Sequence, residues 1–336
     1  MKVSEIKNQI QDYSPEQLHK LIVELYKALP KTLREDHGID ELLKNPDSEA
    51  AGKNRKENKQ RPLSEIEKET LQFVEYARAQ YYLAPNRYVS KNERPKWRFT
   101  ARRLYKELST TAKYPQTAPR AAELLEQLYR LLCEACGIDL FSAYDPFESV
   151  GIAQVEFFTR VLELHETVLS KQDFVTKALS LLVETELNRY TLYSDLMRQI
   201  LAFLRTPDLK FLALDQADRR LRSVRQTKSP SSKEVSDYEQ DRRANNLCEF
   251  VFRSYCALRE LDRALEYLET HYYAKDPEVK LYILVRLLFE YGETERIVRV
   301  IVEAKKKGVE PRGQIHKLKQ FIEQHHRLPK YMNVLE

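Results

Sequence analysis

The sequence predicts an all-α chain built from stacked helical hairpins. Three observations predict it. Glycine is scarce, with 7 in 336 residues where ~7% is usual. So few glycines supply few tight turns with positive φ, which argues against an antiparallel β fold. Good helix formers (Leu, Glu, Lys, Arg and Ala) dominate, and 32% charged with 10% aromatic residues suits helices with one wet and one packed face. Finally, a 33-residue offset relates two stretches between Leu247 and Pro311. Leu258 aligns with Tyr291, Arg263 with Arg296, Leu265 with Val298 and Leu268 with Ile301. Periods of this size mark helix pairs that stack because one pair cannot bury its apolar face alone.

In chain order, residues 1–44 read as an N-terminal helical hairpin. Val3 to Gln11 forms a short helix. Ser14-Pro15-Glu16-Gln17 then supplies a cap, a first-turn proline and a capping-box glutamine. Leu18, Leu21, Ile22, Leu25 and Leu29 share one helical face. Pro30 closes this helix, Gly38 is a stop, and Ile39 to Leu43 packs back. Residues 45–62 are strongly polar without apolar periodicity and read as a linker.

Residues 63–226 read as a central helical domain. Ser64 to Glu67 is a capping box opening a helix to Tyr82, and Lys96 to Leu108 follows Pro95. Ala121 to Cys136 ends at Gly137. Asp145-Pro146-Phe147-Glu148 launches a single helix to Leu169, Asp173 to Leu204 holds one or two more, and Thr206-Pro207 starts another to Arg225. Residues 227–237 read as a second linker. Residues 238–336 form a C-terminal helical-repeat region, punctuated by Asp276-Pro277-Glu278 and closed by a helix from Gly313 to His326.

Within that region Tyr255, Ala264 and Pro277 stand where tetratricopeptide repeats carry a tyrosine, a small alanine and a helix-starting proline. The first unit therefore resembles that family. The second unit is similar to a pentatricopeptide repeat: Val279-Lys-Leu-Tyr opens it, Gly292 sits at its turn, and Lys307-Gly-Val-Glu-Pro311 closes it. Ile297 departs from the small residue both families prefer. The resemblance covers about 65 residues and implies an α-solenoid-like hairpin geometry. Pentatricopeptide arrays read RNA one base per repeat, and a single such unit does not carry that code over.

No apolar run of 18 residues occurs, so no transmembrane helix is expected. The start, Met1-Lys-Val-Ser-Glu-Ile-Lys, lacks the apolar core of a signal peptide. Four cysteines do not make a disulfide framework, and a reducing cytoplasm is the expected setting.

The most distinctive local feature is Arg87 to Lys106. It holds Arg87, Lys91, Arg94, Lys96, Arg98, Arg102, Arg103 and Lys106 against one acid, Glu93. Tyr88, Trp97, Phe99 and Tyr105 are interleaved. On a helix Arg98, Arg102 and Lys106 form one ridge, while Trp97, Leu104, Tyr105 and Leu108 turn inward. Cations beside aromatics suit phosphate contact plus base stacking. The candidate nucleic-acid-binding set is Arg87, Arg94, Lys96, Trp97, Arg98, Arg102, Arg103 and Lys106, joined by Arg219 and Arg222 from a second basic run, Arg219 to Lys233, that contains no acid. The plainer reading of both runs is a solvated face paired with acidic helices.

Cys133-Glu-Ala-Cys136 has half of a zinc-site spacing, but no second Cys or His pair accompanies it, and buried thiols are the expectation. Arg160 and His165 match the Arg-x4-His spacing of all-helical HEPN-type ribonucleases, with Val161 replacing that family's usual polar residue. Gly-rich phosphate loops and hydrolase or metalloprotease motifs are missing, Glu184 and Glu186 carry no catalytic information, His325 and His326 do not make a designed metal site, and no cofactor is expected. The first reading is a non-enzymatic scaffold or adaptor with a protein partner and no membrane association. The second is an RNA- or DNA-binding protein using residues 87–106, and the third a HEPN-like ribonuclease.

Overall fold

The computed structural model describes residues 3–36, 39–44, 61–85, 88–226 and 233–332. All regular structure among them is helical, with no strand. Two compact units are present, Met1–Pro62 and Leu63–Glu336. No helix among the described residues is long and apolar enough to cross a membrane.

The first unit contains α1 (Val3–Ile10), α2 (Pro15–Ala28), α3 (Lys31–Asp36) and α4 (Ile39–Lys44). Ser14 caps α2 as the sequence predicts: its hydroxyl accepts from the Gln17 N–H at 3.2 Å, and the Gln17 side chain accepts from the Ser14 N–H at 2.8 Å. The Tyr26 hydroxyl donates to Asp40 at 2.7 Å, tying α2 to α4. None of the described side chains of residues 5–44 is buried. The stop expected at Gly38 and the linker at 45–60 lie outside the described residues.

The second unit begins with α5 (Leu63–Arg78), a 3-10 turn (Arg94–Lys96) and α6 (Trp97–Thr111). Next come α7 (Ala118–Gly137), α8 (Pro146–Val150), α9 (Gln154–Val168), α10 (Lys171–Glu184), α11 (Tyr193–Phe203) and α12 (Pro207–Gln226). Helix α7 is the hub. It packs against α5, α6 and α9 and buries Leu124, Leu125, Leu128, Tyr129, Leu131 and Leu132 completely. Helix α5 starts one residue before Ser64 and stops at Arg78 rather than Tyr82, because Gln80 turns left-handed (φ 57°). The single helix expected from Asp145 to Leu169 is broken at Gly151 (φ 71°), whose N–H closes α8 onto Phe147 and Glu148 carbonyls at 2.9 and 3.0 Å. A positive φ there is cheap only for glycine.

The chain ends with α13 (Lys233–Ala257), α14 (Leu261–His271), α15 (Pro277–Glu290), α16 (Thr294–Lys306) and α17 (Gly313–His325). Lys233 to Asp237, expected in the second linker, are the first turn of α13, which packs on α12 and α14. The turns of α13–α14 and α15–α16 share their main closing bonds. Glu260 N–H donates to Tyr255 O at 2.9 Å, and 33 residues later Glu293 N–H donates to Leu288 O at 3.0 Å. Arg259 (φ 65°) and Gly292 (φ 77°) hold the same left-handed position. This is a Schellman closure, which satisfies carbonyls left open at a helix end. One core cluster runs continuously from Ile66 to Leu287. A second joins Leu281, Val285, Leu288, Ile297, Ile301, Ile315, Leu318 and Ile322. Leu261, Leu265 and Leu284 pack against both.

Candidate functional site

Helix α6 positions the basic ridge by the alternation of its two faces. Ala101, Leu104 and Leu108 are fully buried, which turns Arg98, Arg102 and Lys106, each four residues apart, to solvent. None of the three has an acidic partner among the described residues, while the Arg98 guanidinium lies 5.0 Å from the Phe99 ring centre. Phe99 itself is 60% exposed.

The remaining members of the predicted set are committed elsewhere. Trp97 is buried and stacks on Phe141 with ring centres 4.0 Å apart and planes 13° apart, so it is unavailable to a base. Tyr105 meets Phe157 edge-on at 4.7 Å. Arg103 bridges Glu69 and Glu107, the second at 3.2 Å. Arg94 donates to the Val89 carbonyl at 2.9 Å, and Lys96 pairs with Glu93 at 2.6 Å. Arg87 lies outside the described residues. Two cations of the second basic run are neutralised along α12 itself: Arg219 pairs with Asp215 at 2.8 Å and Arg222 with Asp218, each one turn earlier. The absence of acids within 219–233 concealed this, because those partners stand just before the run. Arg220 likewise reaches Glu184 at 2.9 Å.

Three residues absent from the sequence-based set gather near the groove that Gly151 lines. Arg102 sits against Gly151, where an added Cβ would lie 3.4 Å from its Nη2. Gly151 is on the rim of a groove of about 380 Å³ lined by Phe147, Ile152, Val155, Asn188 and Tyr190. Beside it the Arg189 guanidinium lies 4.1 Å from the Tyr144 ring centre and 5.5 Å from that of Tyr190, and both rings are exposed. A cation with no ion pair among the described residues, set between two exposed tyrosines, has no sequence signature, since Tyr144 and Arg189 meet only through the fold.

The Arg-x4-His spacing does not form a cleft. Arg160 donates to the Ser109 carbonyl at 2.9 Å and pairs with Glu163 at 2.7 Å. His165 is 2% exposed, with Nε2 2.7 Å from Glu126. Glu126 also takes Arg130 at 2.8 Å and Lys177 at 3.2 Å. Burial pushes its carboxyl up, but the His165 and Arg130 bonds and the Lys177 charge outweigh that and hold it down at about 2. This network ties α7 to α9 and α10. Burial pushes the Cys133 thiol up to about 12. Gln154 Nε2 lies 3.5 Å from its sulfur. No group of three or more metal-ligating side chains occurs among the described residues.

Comparison with protein-family models, with curated proteins and with solved structures finds no match to this chain.

Proposed function

We propose that the chain is a non-enzymatic helical scaffold that docks a partner protein through its N-terminal hairpin. One observation carries this reading. Helix α2 has no buried residue, and Leu21, Ile22 and Leu25 on its apolar stripe are exposed, Leu25 to 57%. A stripe of this kind is stabilised by a complementary surface, with anchors spaced one helical turn apart. The test compares the full chain with Leu21→Glu/Leu25→Glu. Light scattering establishes whether the purified protein self-associates, and quantitative co-purification from native cells identifies a heterologous partner. The double variant, with helicity unchanged because both side chains are exposed, is expected to lose the partner. Equal recovery with both proteins would sink the reading.

The unpaired ridge favours a second reading, single-strand nucleic-acid binding by Arg98, Arg102 and Lys106 with Phe99, Tyr144 and Tyr190 as stacking surfaces. Fluorescence anisotropy with single-stranded RNA, single-stranded DNA and duplex DNA at several salt concentrations tests it. Salt-sensitive binding lost in Arg98→Glu/Arg102→Glu/Lys106→Glu supports it, and no binding at low salt rejects it.

A further inference from the structure

A depression of about 1050 Å³ lies in the second unit where the first half of α13 passes the loop 272–276. Its wall is built. Asn245 clamps the loop, donating from Nδ2 to the Tyr273 carbonyl at 2.7 Å and accepting the Tyr273 N–H at 3.0 Å. Tyr238 and Tyr273 are exposed on its rim, Tyr238 to 70%.

The charges of this groove do not balance. Asp237, Asp241, Glu249 and Asp276 line it against Arg242 and Lys275. Arg242 is already held by Glu186 at 2.7 Å and Glu239 at 2.6 Å. Glu249 is bound by Arg286 at 2.6 Å, and Asp276 accepts the Glu278 N–H as the cap of α15. That leaves Asp237 and Asp241, one turn apart on α13, without an ion pair among the described residues, although the Arg225 charge acts on Asp241. Like charges at this spacing destabilise a helix by a few tenths of a kcal/mol. Burial first, then the Asp237 charge, pushes the Asp241 carboxyl up, with Arg225 opposing.

A second observation is independent of charge. Asn246 lines the groove, is only 7% exposed, and its Nδ2 has no hydrogen-bond partner. A buried donor left unpaired is costly, and an incoming carbonyl satisfies it.

We infer that this groove binds an extended basic segment of a partner protein, with a lysine or arginine on Asp237 and Asp241, the tyrosines flanking the cation and a backbone carbonyl on Asn246. The inference rests on the scaffold reading and specifies the chemistry of a partner. A guanidinium between carboxylates and tyrosine faces gains both ion-pair and cation–π contact. The carboxylates repel a phosphate backbone, so this groove is not a continuation of the α6 ridge.

The experiment titrates the full chain into a short fluorescein-labelled peptide alternating arginine and alanine, with an alternating glutamate–alanine peptide as control. Saturable binding of the basic peptide alone is expected. It should weaken about tenfold, or about 1.4 kcal/mol, in Asp237→Asn/Asp241→Asn and stay within about twofold in Glu295→Gln/Glu303→Gln, which removes the same charge from α16. Tyr238→Ala, an exposed change on the rim, should weaken it with the melting curve unmoved. No binding, or equal losses in the two double variants, overturns the proposal. So does a wild-type dimer that the Asp237→Asn/Asp241→Asn variant abolishes, because the occupant is then a second copy. Leu21→Glu/Leu25→Glu should leave this titration unchanged. A silent peptide alongside intact α2-dependent co-purification therefore rejects the groove alone, and lost co-purification with intact peptide binding rejects only α2 docking.

Discussion

Glu126, which no sequence pattern singles out, is a structural ion held between His165, Arg130 and Lys177. Its carboxyl is held at about 2, below the ordinary 4.5. A group depressed in this way contributes stability that is complete above its unfolded value and lost as pH falls from about 4.5 toward 2. Urea unfolding of wild type and Glu126→Gln across that interval should converge at the acid end. At pH 7 the variant should be less stable by about 3 kcal/mol, because His165 loses a buried anionic partner. A constant difference at every pH would contradict the account. The Arg160–His165 spacing was legible in the sequence, but its meaning was not. A spacing fixes positions along one helix, whereas the burial of His165 depends on Glu126, 39 residues earlier on α7.

At the scale of elements, most helix starts followed from local chemistry. Ser14, Asp145 and Asp276 each accept a backbone N–H where the cap-and-proline pattern placed them. Helix ends were less legible, because Gln80 and Arg259 adopt positive φ without being glycine. Arg259 sits where its repeat counterpart is Gly292, so Arg259→Gly should relieve left-handed strain and stabilise the protein by about 0.5–1 kcal/mol in chemical denaturation. An unchanged or lowered midpoint would count against equivalence of the two turns. On α6 the periodicity separated exposed Arg98, Arg102 and Lys106 from the packed face correctly. It did not reveal which cations were neutralised, since Glu69 reaches Arg103 from α5.

For the second unit as a whole, Leu261, Leu265 and Leu284 connect the two hydrophobic clusters. The repeat region and the helices before it are therefore expected to unfold together. Leu265→Ala should destabilise the unit by about 2–3 kcal/mol. It should also shift near-ultraviolet and far-ultraviolet circular dichroism transitions by the same amount. Two separated transitions in the variant would show the clusters to be independent. The division expected at 227–237 was drawn from composition. Residues 63–336 instead form one compact unit, because α13 buries Leu247, Phe250, Val251 and Phe252 in the first cluster while α14 and α15 reach the second.

The sequence by itself determined the all-helical class, the capped helix starts at Ser14, Asp145 and Asp276, the 33-residue offset between two turns and the buried face of α6. Each rests on propensity, capping or periodicity within about one helical turn or one repeat. Tertiary structure decided which charges are spent and which remain free: Arg219, Arg222 and Arg103 are paired, while Arg98, Arg102, Lys106, Asp237 and Asp241 form no ion pair among the described residues. It also brought Tyr144 to Arg189 and left the Asn246 Nδ2 without a hydrogen-bond partner beside a groove. Pairing and burial are properties of distances between helices, and composition along one helix does not contain them.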